Sequence, residues 1–476
     1  MSTKCIRISM CVFVCLLVVL LSGCGASPAA VNLPVTNRYA EVKGVLQLPT
    51  TTAWRYVWEQ SYVNPIIACR GTVQDNILYQ GGQGLLELDI RTGKKVLDVS
   101  WTAEHRFYLT TAPIVWQNRL YGILSEQKPT EMPHVGLLYE RLACLDATTG
   151  RILWQSEEVG TWEEPCGCPL LLDGKIYMAA CFPIPPSGKF PEFDVHAAVG
   201  IWDMATGKLT GRIPLPHGSY PGLTQLVSDG TSVYGNAHYN VSRGHYRSSI
   251  FRYDPSTDKT VWSVNYPVLP NDLINATYAL AVDNGTLIVV SRVEESSYYA
   301  DGTTTDLKPE YHMAAAFDTA DGHELWSKSS LISSDTHLKS DQKPEIATRG
   351  GLAFLSIQDN GSLVALDERT GEEKWSLTVE KSRIASGLGI DGKPFYWYDN
   401  LIPMATATVL YVREGDSALL AVDPDTGTEL WRKTLLTREE VANEVKDLCD
   451  VIPVNDGILV VTDDAMDMYP IVELWQ

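Results

Sequence analysis

Ala365-Leu-Asp-Glu-Arg-Thr-Gly-Glu-Glu-Lys-Trp375 and, 56 residues on, Ala421-Val-Asp-Pro-Asp-Thr-Gly-Thr-Glu-Leu-Trp431 are two copies of one pattern. Looser copies run from Cys144 to Trp154, Arg252 to Trp262 and Ala316 to Trp326. Two more, Glu87 to Leu97 and Ile201 to Gly211, keep the turn and lose the tryptophan. The aspartates they share are Asp89, Asp146, Asp203, Asp254, Asp318, Asp367 and Asp423, spaced by 57, 57, 51, 64, 49 and 56 residues. A period of that length marks one supersecondary block, repeated over nearly all of residues 50–476.

Each position of the pattern has a physical reason. The small apolar residue at its start and its neighbour finish a strand. The aspartate opens a turn, its carboxylate accepting backbone N–H groups further along. Glycine four residues later takes a positive φ cheaply, as a three-residue hairpin with a bulge requires. The tryptophans Trp154, Trp262, Trp326, Trp375 and Trp431 then lie on the following strand, able to bury a large face against a neighbouring block. A second hairpin precedes most copies, with turns at Asp173-Gly174, Asp229-Gly230, Asn284-Gly285 and Arg349-Gly350-Gly351. Two hairpins per block give four antiparallel strands, and four-stranded blocks in a ring are propeller blades.

The pattern resembles the AxDxxTGxxxW repeat of the pyrroloquinoline-quinone (PQQ)-like β-propellers. That superfamily includes quinoprotein dehydrogenases and the propeller lipoprotein of the outer-membrane β-barrel assembly machinery. Departures are Leu97 and Gly211 at the tryptophan position and Asp258 at a glycine position, so blades 1, 3 and 4 are expected to dock less tightly. After the seventh copy the chain writes one more hairpin around Asp456-Gly457 and a last strand, Ile471 to Trp475; before the first copy stands an orphan strand, Trp54 to Trp58. Together they make an eighth blade. The expected fold is therefore an all-β, eight-bladed propeller closed by strands from both ends, with seven blades as the alternative.

The N-terminus reads as an address. Lys4 and Arg7 precede the apolar run Ile8 to Leu21, which is shorter than the roughly 20 residues a membrane span needs. The run ends in Leu21-Ser22-Gly23-Cys24, which resembles the lipobox of bacterial lipoproteins. The resemblance implies a signal peptide over 1–23, a lipidated Cys24, a tether over 24–49 rich in Ala, Pro and Val, and a single propeller domain over 50–476, held to the membrane on the extracytoplasmic side of the cell envelope. The chain carries 38 basic against 58 acidic residues, a net charge of −20. Such a balance lacks the basic stripe that nucleic-acid binding requires, and anionic headgroups repel it. Lipid, not charge, is expected to hold it at the membrane.

In a propeller the first-to-second and third-to-fourth strand turns share one face, and the other connections share the opposite one. Here the first set is short. The long segments fall in the second: Glu126 to Tyr139, Phe182 to His196, Asn236 to Arg247, Arg292 to His312, Lys328 to Lys343 and Leu377 to Asn400. Of nine histidines only His323 sits in a short turn; His105, His134, His196, His217, His238, His245, His312 and His337 map to long connections, with aromatics such as Phe107, Tyr108, Trp162, Tyr220, Tyr239, Tyr298 and Tyr299. Long loops on a rigid scaffold are where recognition concentrates. Thr437-Arg-Glu-Glu440 reads as a capping box opening a short helix that ends near Lys446.

No catalytic motif stands out. Gly-X-Ser-X-Gly, His-Glu-x-x-His and a Walker loop are absent, no histidines pair at metal-ligand spacing, and Asp463, Asp464 and Asp467 read as a solvated turn. Quinoprotein enzymes carry adjacent cysteines by their cofactor, and this chain has no Cys-Cys pair. The reading favours a non-catalytic scaffold that binds an envelope protein, peptide or glycan through its long-loop face, with no cofactor. The alternative is a PQQ-dependent dehydrogenase, for which PQQ and a divalent metal are implied. Around Asp173-Gly174 a two-residue turn pairs Leu172 with Lys175, a register that sets Cys166 opposite Cys181. That register allows a disulfide between them, with Cys168, offset by two residues, the poorer partner unless a bulge or another turn length exchanges the two; three free buried thiols or a metal cluster are the alternatives.

Overall fold

The computed structural model describes residues 42–43, 47–58, 71–82, 84–101, 107–109, 111–128, 137–161, 167–182, 196–217, 219, 224–242, 245–266, 275–294, 311–331, 346–357, 362–378, 384–388, 394–397, 401–414, 418–436, 446–464 and 470–476. Cys24, Cys166 and the capping box at Thr437 to Glu440 lie outside the described residues, and Lys446 is already the first residue of a strand.

Eight blades of four antiparallel strands hold all but three of the described strands; blade 2 carries a fifth strand, Phe107–Leu109, and Ile384–Leu388 pairs with Pro394–Trp397 in a separate two-stranded sheet. Blade 1 runs Gly71–Gln74, Ile77–Gly81, Gly84–Asp89 and Lys94–Ser100. Blade 2 is Ile114–Trp116, Arg119–Lys128, Leu137–Asp146 and Ile152–Thr161, and blade 3 is Leu170–Leu172, Lys175–Phe182, His196–Asp203 and Leu209–Pro214. Blade 4 is Leu226–Ser228, Val233–Ser242, His245–Asp254 and Lys259–Asn265; blade 5 is Asn275–Asp283, Thr286–Glu294, Tyr311–Asp318 and Glu324–Leu331. Blade 6 is Ile346–Arg349, Leu352–Ile357, Ser362–Asp367 and Glu373–Thr378, and blade 7 is Leu401–Ala405, Leu410–Glu414, Ala418–Val422 and Glu429–Thr434. Blade 8 takes Lys446–Val454, Gly457–Asp464 and Pro470–Trp475 from the C-terminal end and Thr52–Val57 from the N-terminal end. Seven blades are excluded.

First strands are buried and line the centre, where those of blades 8 and 1, 1 and 2, 3 and 4, 4 and 5, 5 and 6, and 6 and 7 lie side by side. Fourth strands alternate exposed and half-buried residues, as Lys94–Ser100 and Thr52–Val57 do, and form the rim. Among the described residues, seven of the eight apolar clusters span neighbouring blades; the eighth, Leu109, Leu124 and Ala143, lies within blade 2. One cluster joins Phe354, Leu363, Ala365 and Trp375 of blade 6 to Leu401, Leu410, Val412 and Leu420 of blade 7. Burying apolar faces between neighbours is what makes the blades mutually dependent.

The repeat pattern builds those interfaces. Each aspartate takes an Asx-turn: Asp146 Oδ1 accepts from Thr148 N at 3.0 Å and Thr149 N at 2.9 Å, and Asp423 Oδ1 accepts from Asp425 N at 2.9 Å and Thr426 N at 3.0 Å. The tryptophan then reaches into the next blade and donates its indole N–H to the carbonyl just after that blade's aspartate. Trp154 binds Met204 O (3.2 Å), Trp262 binds Thr319 O (3.0 Å), Trp326 binds Glu368 O (2.8 Å) and Trp375 binds Pro424 O (2.9 Å). Its ring covers the turn glycine so closely that a Cβ on Gly427 would stand 2.6 Å from Trp375. Glycine is needed there twice over, for its φ of +73° and for the ring above it.

The ring closes by the same device. Trp54, on the N-terminal strand, covers Gly93 of blade 1 and donates to Ile90 O at 2.8 Å. The N–H groups of Thr50 and Thr51 donate to Gln476 O, and Gln476 N donates back to Thr51 O. Lys433 of blade 7 reaches Pro49 O at 2.6 Å and lies over the Trp475 ring at 4.4 Å. Blade 8 has no third-to-fourth turn, because its third strand ends the chain and its fourth comes from the N-terminal side. Trp431 of blade 7 therefore has no turn carbonyl to meet, and its buried indole N–H has no partner among the described residues.

The departures from the pattern belong to two interfaces. At the first, Val99 and Leu97 of blade 1 lie over Gly150 of blade 2 in place of an indole. At the second, Gly211 of blade 3 stands at the tryptophan position and Asp258 of blade 4 at the glycine position; Asp258 takes a φ of 56°. Tyr177 and Tyr253 fill that junction with ring centroids 6.2 Å apart, and Tyr253 donates to Asp258 Oδ1 at 2.5 Å. Blade 4 itself docks fully on blade 5 through Trp262.

Trp375→Ala or Trp431→Ala should each cost about 3–5 kcal/mol, as loss of a large buried ring does. Replacement by Phe separates them. Both variants lose the same ring volume, but only Trp375→Phe orphans a carbonyl, so denaturant melts should show it less stable than Trp431→Phe by about 1–2 kcal/mol.

Candidate functional site

The second and third strands set the relief of the long-connection face. They have five and six residues in blade 1, six and six in blade 6, and five and five in blade 7. In blade 3 they reach eight and eight, in blade 5 nine and eight, and in blades 2 and 4 ten and ten. The short turns fix one end of every pair, so the extra residues extend on the opposite side. Blades 2 to 5 form a raised rim, and blades 6, 7 and 1 stay low. Phe107–Leu109 adds to blade 2 through Phe107 opposite Glu126, and a hairpin of Ile384–Leu388 and Pro394–Trp397 stands in the blade 6 to blade 7 connection. Much of the long segments expected to carry recognition lies outside the described residues, including His105, His134, His337, Trp162, Tyr220, Tyr298 and Tyr299.

Three charged side chains cross the raised part of blade 2. Arg141 on the third strand reaches Glu158 on the fourth at 3.0 Å and Glu126 on the second at 4.0 Å, and their side chains are 26%, 39% and 25% exposed. Pairs this exposed add little stability, which leaves them available to a partner. In blade 3 Arg212 lies 4.0 Å over the Phe182 ring, which stacks on Trp202 at 6.1 Å.

Other expected residues are placed differently. His238 is not a loop-tip residue: it is 2% exposed on the second strand of blade 4, with Nδ1 2.9 Å from Ser248 Oγ. Burial pulls its pKa down to about 4, so the ring is neutral. His196, His245 and His312 stand within paired strands, opposite Phe182, Ser242 and Arg292, and His217 is exposed between blades 3 and 4. Asp463 and Asp464 end the second strand of blade 8 rather than forming a turn, and Asp467 is outside the described residues. Cys181 is buried on blade 3, where Leu170, Leu171 and Leu172 pair with Tyr177, Ile176 and Lys175; Gly167 N donates to Ala179 O at 2.9 Å, one residue out of that register, and Cys166 lies outside the described residues.

On the short-turn face, Asp318, Asp321 and His323 bring three ligand atoms within 4.8 Å of one another. The group is largely exposed and already engaged: His323 Nδ1 lies 2.6 Å from Asp321, and Asp318 pairs with Arg369 at 3.5 Å. Sequence reasoning missed a buried acid in blade 1. Glu87 takes the small apolar position two residues before the turn aspartate and is 3% exposed, with Oε1 lacking a partner among the described residues. Burial first, and the nearby Asp146 second, push its pKa up to about 7. The signal was present: glutamate stood where other copies have alanine, cysteine, isoleucine or arginine.

A raised, uneven face on a ring of AxDxxTGxxxW blades defines a PQQ-like β-propeller. The chain belongs to the family described as outer membrane protein assembly factor BamB, which matches residues 196–402 and, overlapping, 246–452, together more than half of its length. Among solved structures it is similar to BamB from Moraxella catarrhalis, at 15% identity and a TM-score of 0.51, covering 89% of this chain and 99% of that one. It is similar also to quinohemoprotein alcohol dehydrogenase from Comamonas testosteroni (14%, 0.51, 92% and 78%) and to a europium-containing methanol dehydrogenase (13%, 0.51, 89% and 87%). At such identities these likenesses concern the fold. No curated protein sequence matches.

Two sets of carboxyls give stability opposite slopes with pH. Hydrogen bonds from Thr149 hold Asp146 below the usual carboxylate range, as those from Thr206 do for Asp203 and those from Arg91 for Asp89. Their contribution is present above the ordinary aspartate pKa and is lost as pH falls through the lowered one. Glu87 acts in reverse: the folded chain holds its proton more tightly, so stability is lost as pH rises from 4.5 to about 7. Melting temperatures across pH 3–8 should peak between these windows, and Glu87→Gln should flatten the decline on the alkaline side.

Proposed function

We propose that the protein is a non-catalytic scaffold of the cell envelope. Its residues 1–23 are a cleaved signal, Cys24 is lipidated, residues 24–49 are the tether, and the propeller over 50–476 binds an envelope protein, peptide or glycan through its long-loop face, without nucleic acid. Membership in a family described as an outer membrane protein assembly factor carries this reading. The raised rim over blades 2 to 5 supports it, since strand extension creates a broad, part-polar surface with no evident core function.

The path of the tether supports the same arrangement. Val42 O accepts from Ala407 N at 2.8 Å and Lys43 N donates to Asn455 Oδ1 at 3.1 Å, both at first-to-second turns, of blades 7 and 8. The chain thus approaches along the short-turn side. A lipid on Cys24 would then leave the long-connection face pointing away from the anchor.

The second reading, a PQQ-dependent dehydrogenase, rests on the shared fold. Among the described residues, the single group of three His, Cys, Asp or Glu side chains close enough to share an ion sits on an outer short turn, not over the ring centre where a quinone would lie.

Cys24→Ala should release the protein from washed membranes; retention with the signal cleaved would overturn the anchor. A pull-down from native membranes should recover an envelope partner, and Arg141→Gln should weaken that recovery about tenfold while lowering the melting temperature by no more than about 3 °C. A large thermal shift on adding PQQ to calcium-loaded protein, with no partner recovered, would favour the dehydrogenase instead.

A further inference from the structure

At the junction of blades 7 and 8 the indole is present but its bond is missing. Trp431 is buried, and its N–H has no partner among the described residues because blade 8 offers no third-to-fourth turn. On its other side blade 8 docks on blade 1 through Trp54, whose indole N–H is bonded. The seam toward blade 7 therefore needs another device.

Two stretches leading into the propeller, residues 42–43 and 47–51, are bonded to both sides of that seam. At the inner turns, Val42 O accepts from Ala407 N at 2.8 Å and Lys43 O from Thr408 Oγ1, both of blade 7. Lys43 N donates the other way, to Asn455 Oδ1 of blade 8 at 3.1 Å. Farther along, Pro49 is buried and its carbonyl accepts from Lys433 Nζ of blade 7 at 2.6 Å. The next two residues turn to blade 8, where Thr50 N and Thr51 N donate to Gln476 O at 3.0 and 3.2 Å. Val42 also packs on the apolar cluster that contains Trp431.

Lys433 marks the seam chemically. It stands two positions after the tryptophan, where blades 4 and 6 carry Val264 and Leu377, packed on the clusters shared with the next blade. A lysine there gives up apolar contact. Its ammonium gains a charge-assisted bond to a buried carbonyl and a place 4.4 Å over the Trp475 ring of blade 8.

We propose that these two stretches are a strap that locks blade 8 to blade 7, standing in for the docking bond that Trp431 lacks. The segment entering the propeller is then part of its closure rather than a passive spacer. Displacing the strap opens the ring at blade 8 first, since local opening occurs where the fewest contacts must break. The strap stands on its own contacts. Its consequence for the anchor rests on the proposed lipidation: a pull through Cys24 reaches the strap before any blade.

The test is hydrogen exchange read by peptide mass spectrometry on the purified full chain. Lys433→Met keeps the aliphatic stem and removes the bond to Pro49, and Asn455→Ala removes the bond to Lys43. In the double variant Thr52–Val57 and Pro470–Trp475 should exchange about tenfold faster, while Val233–Ser242 and Thr286–Glu294 stay within about twofold. Trp262→Phe, which loosens blade 4 from blade 5, should give the reverse pattern. Deleting residues 25–41, upstream of the strap, should leave blade 8 as protected as in the parent. Unchanged exchange of blade 8 in the double variant would overturn the strap, as would equal acceleration in blades 4 and 5. Lost protection of blade 8 on deleting 25–41 would place the lock upstream and overturn it equally. None of these measurements needs the lipid, so the strap and the anchor fail separately.

Discussion

An indole laid over a glycine, with its N–H bonded to the next blade's carbonyl, is the contact on which this ring depends. It ties the fourth strand of one blade to the turn of the following one, at Trp54, Trp154, Trp262, Trp326 and Trp375. A four-stranded sheet alone leaves both apolar faces wet, and the contact fixes the angle at which a neighbour covers them. The aspartate serves the same contact indirectly. By bending the chain through an Asx-turn it places the carbonyl and the glycine together under the incoming ring. Where blade 3 has Gly211 in place of the indole, the turn of blade 4 carries a left-handed Asp258 in place of the glycine.

The architecture was legible because this contact needs three residue types at fixed spacing: four of the seven copies carry all three, and the other three keep the aspartate and one of the remaining two. The eighth blade was legible too, from strands left over at both ends. Two things were not. Trp54 belongs to no copy of the pattern, since its aspartate and glycine lie in another strand's turn, and only the closed ring brings it over Gly93. Glu87 sits at an ordinary repeat position, and its burial follows from docking that the sequence does not display. The face map was partly legible. Turn lengths separated the two faces, but strand extension in blades 2 to 5 hid within segments that read as loops, and His238 moved from loop to core for that reason.

This division of labour bears on function. On the short-turn face the Asx-turns and turn glycines recur from blade to blade and serve docking, and that face receives the approaching N-terminal segment. The opposite face is released from that duty and varies from blade to blade. The acid-rich chain adds a constraint: a buried carboxyl such as Glu87 is held more readily with its proton, which ties the stability of the ring to pH.

The most direct measurement is a double-mutant cycle on Trp54→Ala and Gly93→Ala, read from denaturant unfolding. A Cβ on Gly93 would stand 2.5 Å from the Trp54 ring, so the glycine substitution should cost much less once that ring is removed, leaving only the strain of a φ of +67°. The predicted coupling is about 1–3 kcal/mol. Costs that add within about 0.5 kcal/mol would mean the ring is closed by something other than the indole on the glycine.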